Sequence, residues 1–138
     1  MEKQHALQQL EQLQKKLYAI HYACSAMNLD ADTVAPKNTS EGRGVALGVL
    51  AGEEQQLMIC PETRALLDEL DRQKDELDLL HRREVEELRR RCDQLTRIPA
   101  EEYIAYSELV NKAGDVWHKA KEKDDFEMFC PLLQELVE

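Results

Sequence analysis

Apolar residues recur along this chain at alternating steps of three and four, the spacing of one face of an α-helix, and never at the step of two that a half-buried strand requires. The first run puts Ala6, Leu10, Leu13, Leu17, Ile20, Cys24 and Met27 in phase. That predicts a long helix over residues 3–27 with a narrow apolar seam, suited either to an intramolecular bundle or to a dimeric coiled coil. The polar stretch NLDADTVAPKNTS, residues 28–40, predicts a long crossover loop. Asn38 or Thr39 can cap the helix that follows, with Glu41 reaching back in the Asn38 case. That helix, residues 40–58, carries Gly44, Gly48 and Gly52 at spacing four. Each glycine costs about 1 kcal/mol of helix propensity relative to alanine, and close approach of another helix is the expected compensation.

Cys60-Pro61-Glu62 marks a break and a new helix start, opening a short helix with Ala65, Leu66, Leu67 and Leu70. A further helix over residues 75–97 brings Val85, Leu88, Cys92 and Leu95 into phase and is stopped by Pro99. In the next segment Tyr103, Tyr106, Val110, Ala113, Trp117 and Ala120 share one face, which carries the chain's one Trp and is predicted to be buried. Glu101 and Glu102 complement the positive end of that helix. After Asp124-Asp125, an N-cap candidate, Phe126, Phe129, Leu133 and Val137 offer a new stripe, so two helices are expected to meet at a corner. The predicted fold is all-α, a bundle of about five to six helices in antiparallel helical hairpins without a sheet, with residues 1–138 as a single helical domain.

Composition narrows the function classes. Twenty-eight acidic residues against 18 basic ones give a formal charge of -10, which disfavours nonspecific binding to nucleic acid or to an anionic membrane. The chain has no apolar run long enough to span a bilayer, and its N-terminus is polar rather than signal-like, so a cytoplasmic location is expected. Cys24, Cys60, Cys92 and Cys130 form no C-x-x-C pair, and reduced thiols are expected, with Cys24 and Cys92 as small core residues. Arg82, Arg83, Arg89, Arg90 and Arg91 make a basic cluster that Glu84, Glu86, Glu87 and Asp93 offset along the same helix.

The chemistry-bearing residues form no local catalytic pattern. His5, His21, His81 and His118 build no H-E-x-x-H, and neither a nucleophile elbow nor a phosphate loop is present. Asp78-x-x-His81 and Asp115-x-x-His118 repeat a carboxylate-x-x-His spacing whose Glu form builds dinuclear metal sites in helical bundles. Asp is shorter than Glu and His118 lies beside the apolar stripe, so coincidence is the preferred reading. No catalytic residue and no metal ligand is assigned to this chain.

A family pattern nevertheless runs through it. Leu29-Asp30-x-x-Thr33-x-Ala35-Pro36, then Glu41-Gly42-Arg43, then Thr96-Arg97-Ile98-Pro99, then Trp117 and Asp125-Phe126-x-x-Phe129-x-Pro131-x-Leu133 stand in an order and spacing that resembles the N-terminal helical region of the Taq-type thermostable zinc metallocarboxypeptidases. The family usually has Trp at the position of Leu29, Met at that of Ala35, and often His-Glu at that of Gln55-Gln56. The resemblance implies a helical scaffold that forms part of the wall or cover of a peptide groove and contributes to dimer contacts. In a full-length member, several times longer, zinc or another divalent metal and the missing C-terminal catalytic portion would do the proteolysis, so no activity is expected from this chain alone. Asp30, Thr33 and Arg43 are the expected polar anchors of the crossover loop, and Asp125 the expected cap at the corner. Trp117, Phe126 and Phe129 are the expected core of that corner. The closing PLLQELVE is helical to its end without a Gly or Asn cap, which reads as a piece of a larger architecture. The competing expectation is a stand-alone helical interaction module that forms a homodimer through the Ala6–Met27 seam or the glycine stripe.

Overall fold

The N-terminal seam folds as a helix and runs further than its hydrophobic pattern. In the computed structural model, which describes residues 2–138, helix α1 spans Lys3–Thr33. Ala6, Leu10, Leu13 and Leu17 are buried along it. The stop expected after Met27 does not occur, because nothing from Asn28 to Thr33 forbids helical angles. Thr33 Oγ1 instead donates back to the Leu29 carbonyl at 2.6 Å. The helix ends where Pro36 approaches, with the Val34 and Ala35 amides both donating to the Asp30 carbonyl. The crossover therefore shrinks to residues 34–39, and Asp30 and Thr33, expected in the loop, lie exposed on the last turn of α1.

Helix α2, Ser40–Ile59, follows a turn in which Asn38 takes a positive φ of 67°. The Thr39 hydroxyl donates to the Pro36 carbonyl at 2.8 Å, so it closes the turn. Helix α3, Pro61–Arg72, starts with Pro61 in its first turn after an extended Cys60. Thr63 Oγ1 reaches back across this corner to the Leu57 carbonyl at 2.8 Å. A 3-10 turn at Lys74–Glu76 then leads to α4, Leu79–Thr96, which starts later than its apolar phase suggests because Asp78 caps it. Helices α3 and α4 pack on each other as a hairpin. Helix α5 spans Ala100–Glu122, a 3-10 turn occupies Phe126–Met128, and α6 spans Cys130–Val137. Among the described residues every regular element is helical and none is a strand.

The chain divides into two compact units, and α1 and α2 each contribute to both. The first takes the residues up to Tyr22 and Glu53–Pro99. Its core is well filled: Leu10, Met58, Leu67, Leu70 and Val85 are almost fully buried, each worth about 1.5–3 kcal/mol of transfer free energy.

The second unit takes Ala23–Gly52 and Ala100–Glu138, and it is organised differently from the sequence expectation. Its buried apolar residues are Leu47, Ala113, Ala120 and Leu132, whereas Trp117 is 43% exposed and Phe126 64% exposed. Phe129 is half-buried. The aromatic face of α5 is therefore not the face that packs on α2. A Cβ built on Gly44, Gly48 or Gly52 would come within 3.0 Å of Asn111 Nδ2, 2.8 Å of Glu108 Oε1 or 2.9 Å of Ile104 Cδ1. The glycine stripe thus lets α2 lie against Ile104, Glu108 and Asn111, a stripe of α5 turned away from Tyr106. In α6 Leu132 is buried while Leu133 and Val137 are exposed, because the 3-10 turn before Cys130 resets the phase expected from Phe126.

Candidate functional site

Polar side chains brought inside the first unit converge on Glu54. Its side chain is 9% exposed, and Oε1 is met by Arg91 Nη2 and, at 3.0 Å, by His21 Nε2. The neighbouring Gln55 is fully buried and donates from Nε2 to the carbonyls of Leu95 at 3.3 Å and Ile98 at 2.8 Å. These bonds tie the middle of α2 to the C-terminal end of α4, where the helix leaves carbonyls without intrahelical partners. Gln55 Oε1 is buried without a hydrogen-bond partner. Sequence reasoning noted Gln55 only as a departure from a family pattern and passed over Glu54. The available signal was that both stand within one turn of Met58, on a face that has to be buried.

The second unit has its own charged centre. Arg43, 9% exposed at its side chain, donates from Nη2 to Asp115 Oδ1 at 2.8 Å and from Nε to Asn111 Oδ1 at 3.0 Å. Asn111 Nδ2 in turn donates to the Ser40 carbonyl at 3.1 Å. Arg43 is thus held by α5 rather than by the crossover. His118 Nε2 lies 3.0 Å from Asp32 Oδ1 at the exposed end of α1, and the Lys121 ammonium sits 5.1 Å from the Trp117 ring centre. Asp125 Oδ1 accepts from the Met128 amide at 3.3 Å, capping the 3-10 turn that leads into α6.

The remaining sequence candidates have local duties. Asp78 Oδ1 accepts from the His81 amide at 2.9 Å and Oδ2 lies 2.7 Å from His81 Nδ1. These bonds favour the carboxylate and hold its pKa below the ordinary aspartate value. Among the arginines, Arg83 pairs with Glu86, Arg89 with Asp68 and Arg90 with Glu87. The Arg90 hydrogen bond and charge lower the Glu87 pKa. Cys92 is buried, Cys24 and Cys60 are half-buried and Cys130 is exposed.

Two features bear on catalysis. An open groove of about 1020 Å³ in the first unit is lined by His5, Gln12, Lys16, Cys60 and Glu62, among others, a set with no nucleophile–base pair in hydrogen-bonding contact. Among the described residues no three His, Cys, Asp or Glu side chains are grouped so as to hold a metal ion. Asp115 is paired with Arg43 and His118 with Asp32, whereas Asp78 and His81 pair with each other. The residues present do not fit the catalytic metal that the family resemblance implies. No helix among the described residues is long and apolar enough to cross a membrane.

Comparison with known proteins accounts for a helical fold of this kind. Residues 9–138 match the family model described as Carboxypeptidase Taq (M32) metallopeptidase. Carboxypeptidase 1 of Bacillus subtilis is 34% identical over 120 residues, which are 86% of this chain and 24% of that protein. Thermostable carboxypeptidase 1 of Pyrococcus furiosus is 29% identical over 123 residues, 89% of this chain and again 24% of the relative. The crystal structure of BsuCP superposes with a TM-score of 0.91 at 30% identity, over 96% of this chain and 27% of that one. The chain thus spans about a quarter of the length of its relatives, matching their N-terminal part. The ordered motifs from Asp30 to Phe129, the helical fold and the match from residue 9 onward agree, and the chain belongs to the carboxypeptidase Taq family of metallopeptidases.

Proposed function

We propose that residues 1–138 serve as the N-terminal helical scaffold of a zinc-dependent metallocarboxypeptidase, forming part of the wall or cover of its peptide groove. The metal and the groups that activate water would come from the rest of the family fold. The observation that carries this reading is the superposition of nearly the whole chain on only 27% of a solved structure, joined to a residue set that does not fit a metal site. Asp30, Thr33, Arg43, Trp117, Asp125, Phe126 and Phe129 act in this reading as structural positions. A cytoplasmic setting is part of the proposal, in keeping with the acidic composition and the free thiols of Cys60, Cys92 and Cys130.

The purified chain, incubated with zinc and a peptide, is expected to release no C-terminal amino acids. Metal-dependent release at a rate that tracks chain concentration would overturn the scaffold reading.

A stand-alone dimerisation module is the second reading, favoured by the exposed Tyr106, Val110 and Trp117. The two surfaces that the sequence offered for it are otherwise engaged. Ala6, Leu10, Leu13 and Leu17 are buried within the chain, and the glycine stripe is covered by α5 side chains. Light scattering separates the readings: a monomer is expected of the scaffold, a discrete dimer of the module.

A further inference from the structure

Large apolar side chains are left uncovered mainly in the second unit. Tyr106, Val110 and Trp117 are 54%, 45% and 43% exposed. Their spacing of four and then seven places them on one side of α5 over three turns. This stripe stands about 200° around the helix from Ile104, on the face not used by α2. Ala113 and Ala120 on the same side are buried, and the three large side chains left exposed beside them mark a surface that another body covers.

What covers it follows from the extent of the family match. The chain spans about a quarter of its relatives, the matched part is their N-terminal one, and the match runs through residue 138, beyond the end of α6. Helix α6 packs on α5. A chain continuing past α6 would therefore set out from an element packed on the helix that bears these exposed side chains. The first unit buries most of its leucines and leaves Leu79 and Leu80 exposed.

We propose that the Tyr106–Val110–Trp117 face of α5 is the surface on which the catalytic remainder of a carboxypeptidase of this family docks. This rests on the scaffold reading and adds to it the residues that carry the joint. The side chains bring apolar area, which association removes from water, and aromatic anchors of the kind that dominate interface energetics. The occupant is predicted to present a complementary apolar surface rather than a charged one.

The test uses a full-length chimera in which these 138 residues replace the matching segment of Bacillus subtilis carboxypeptidase 1. Tyr106→Asp and Val110→Asp are introduced both into the chimera and into the isolated chain, with Leu80→Asp, 67% exposed in the first unit, as the control. In the isolated chain all three are expected to leave the thermal melting midpoint within about 3 °C, as for exposed positions generally. In the chimera Tyr106→Asp and Val110→Asp are expected to shorten the half-life of peptidase activity on heating at least about tenfold, since a buried charge is costly. Leu80→Asp is expected to leave that half-life unchanged. Should both variants keep the half-life of the parent chimera, the docking inference fails while the scaffold reading stands. If the parent chimera has no peptidase activity, the scaffold reading fails and takes the inference with it. An isolated chain that sediments as a dimer, dispersed by Val110→Asp, would make a second copy the occupant and overturn the inference.

Discussion

Arg43 illustrates how a polar residue picked out in sequence acquires its role only from residues far along the chain. Its guanidinium is held by Asp115, 72 positions away, and by Asn111. With the Arg43 side chain 9% and the Asp115 side chain 25% exposed, removing the cation leaves a partly buried carboxylate without compensation. Arg43→Met is therefore expected to destabilise the chain by about 2–3 kcal/mol. Arg43→Met combined with Asp115→Leu should recover part of that loss, because both charges are then gone; urea unfolding of the single and double variants checks this. Sequence could mark Arg43 through its family motif but not its partner, since no local spacing links α2 to α5. Asp78 is the opposite case, a residue whose function is local and legible. Its folded pKa lies below the ordinary aspartate value because the carboxylate accepts from the His81 amide and side chain. The stability it contributes is present above the unfolded pKa and is lost as pH falls through the lower folded value. Asp78→Ala should lower the melting temperature at neutral pH and flatten its fall in that acid window, as followed by circular dichroism.

At the scale of elements, the helices themselves were legible, because their apolar phase and their Pro and Asp punctuation act within a few residues. Which face of a helix is buried was less so. Tyr106 and Trp117 supply the strongest apolar signal in α5, yet α2 packs against Ile104, Glu108 and Asn111, since a glycine stripe gives close approach without adding hydrophobicity to any pattern. The glycines then divide by what faces them. Gly42 and Gly114 have open space where a Cβ would go, so Gly42→Ala and Gly114→Ala should each stabilise by about 0.5–1 kcal/mol. A Cβ at Gly52 would lie 2.9 Å from Ile104 Cδ1, and Gly52→Val should cost about 2 kcal/mol through overpacking despite the loss of a glycine. Thermal melts of the three variants give the order Gly114→Ala and Gly42→Ala above the parent, and Gly52→Val below. The same logic explains α1, whose helix continued through Asn28–Thr33 because polar residues weaken a helix less than the approach of Pro36 does.

At the scale of the whole molecule, the two units differ in how far each has closed its own core. The first buries Met58, Val85 and most of its leucines, and the second relies on Leu47, two alanines and Leu132. That difference suits a chain that accounts for about a quarter of its relatives. The sequence reading reached the family through the order of short motifs from Asp30 onward, and the family match extends the agreement back to residue 9. It expected Trp117 and Phe126 to be buried because any aromatic stripe must be covered by something. In this chain alone they are exposed. A hydrolytic metal site needs several ligands held in one place, and among the described residues no three His, Cys, Asp or Glu side chains are so grouped.

The most direct test of the account is to replace the matching segment of Bacillus subtilis carboxypeptidase 1 with this chain and to measure metal-dependent release of C-terminal amino acids beside the isolated chain. The account predicts release by the chimera, lost on chelation, and none by the isolated chain. Release by the isolated chain, or a folded chimera that binds metal but releases nothing, would contradict it.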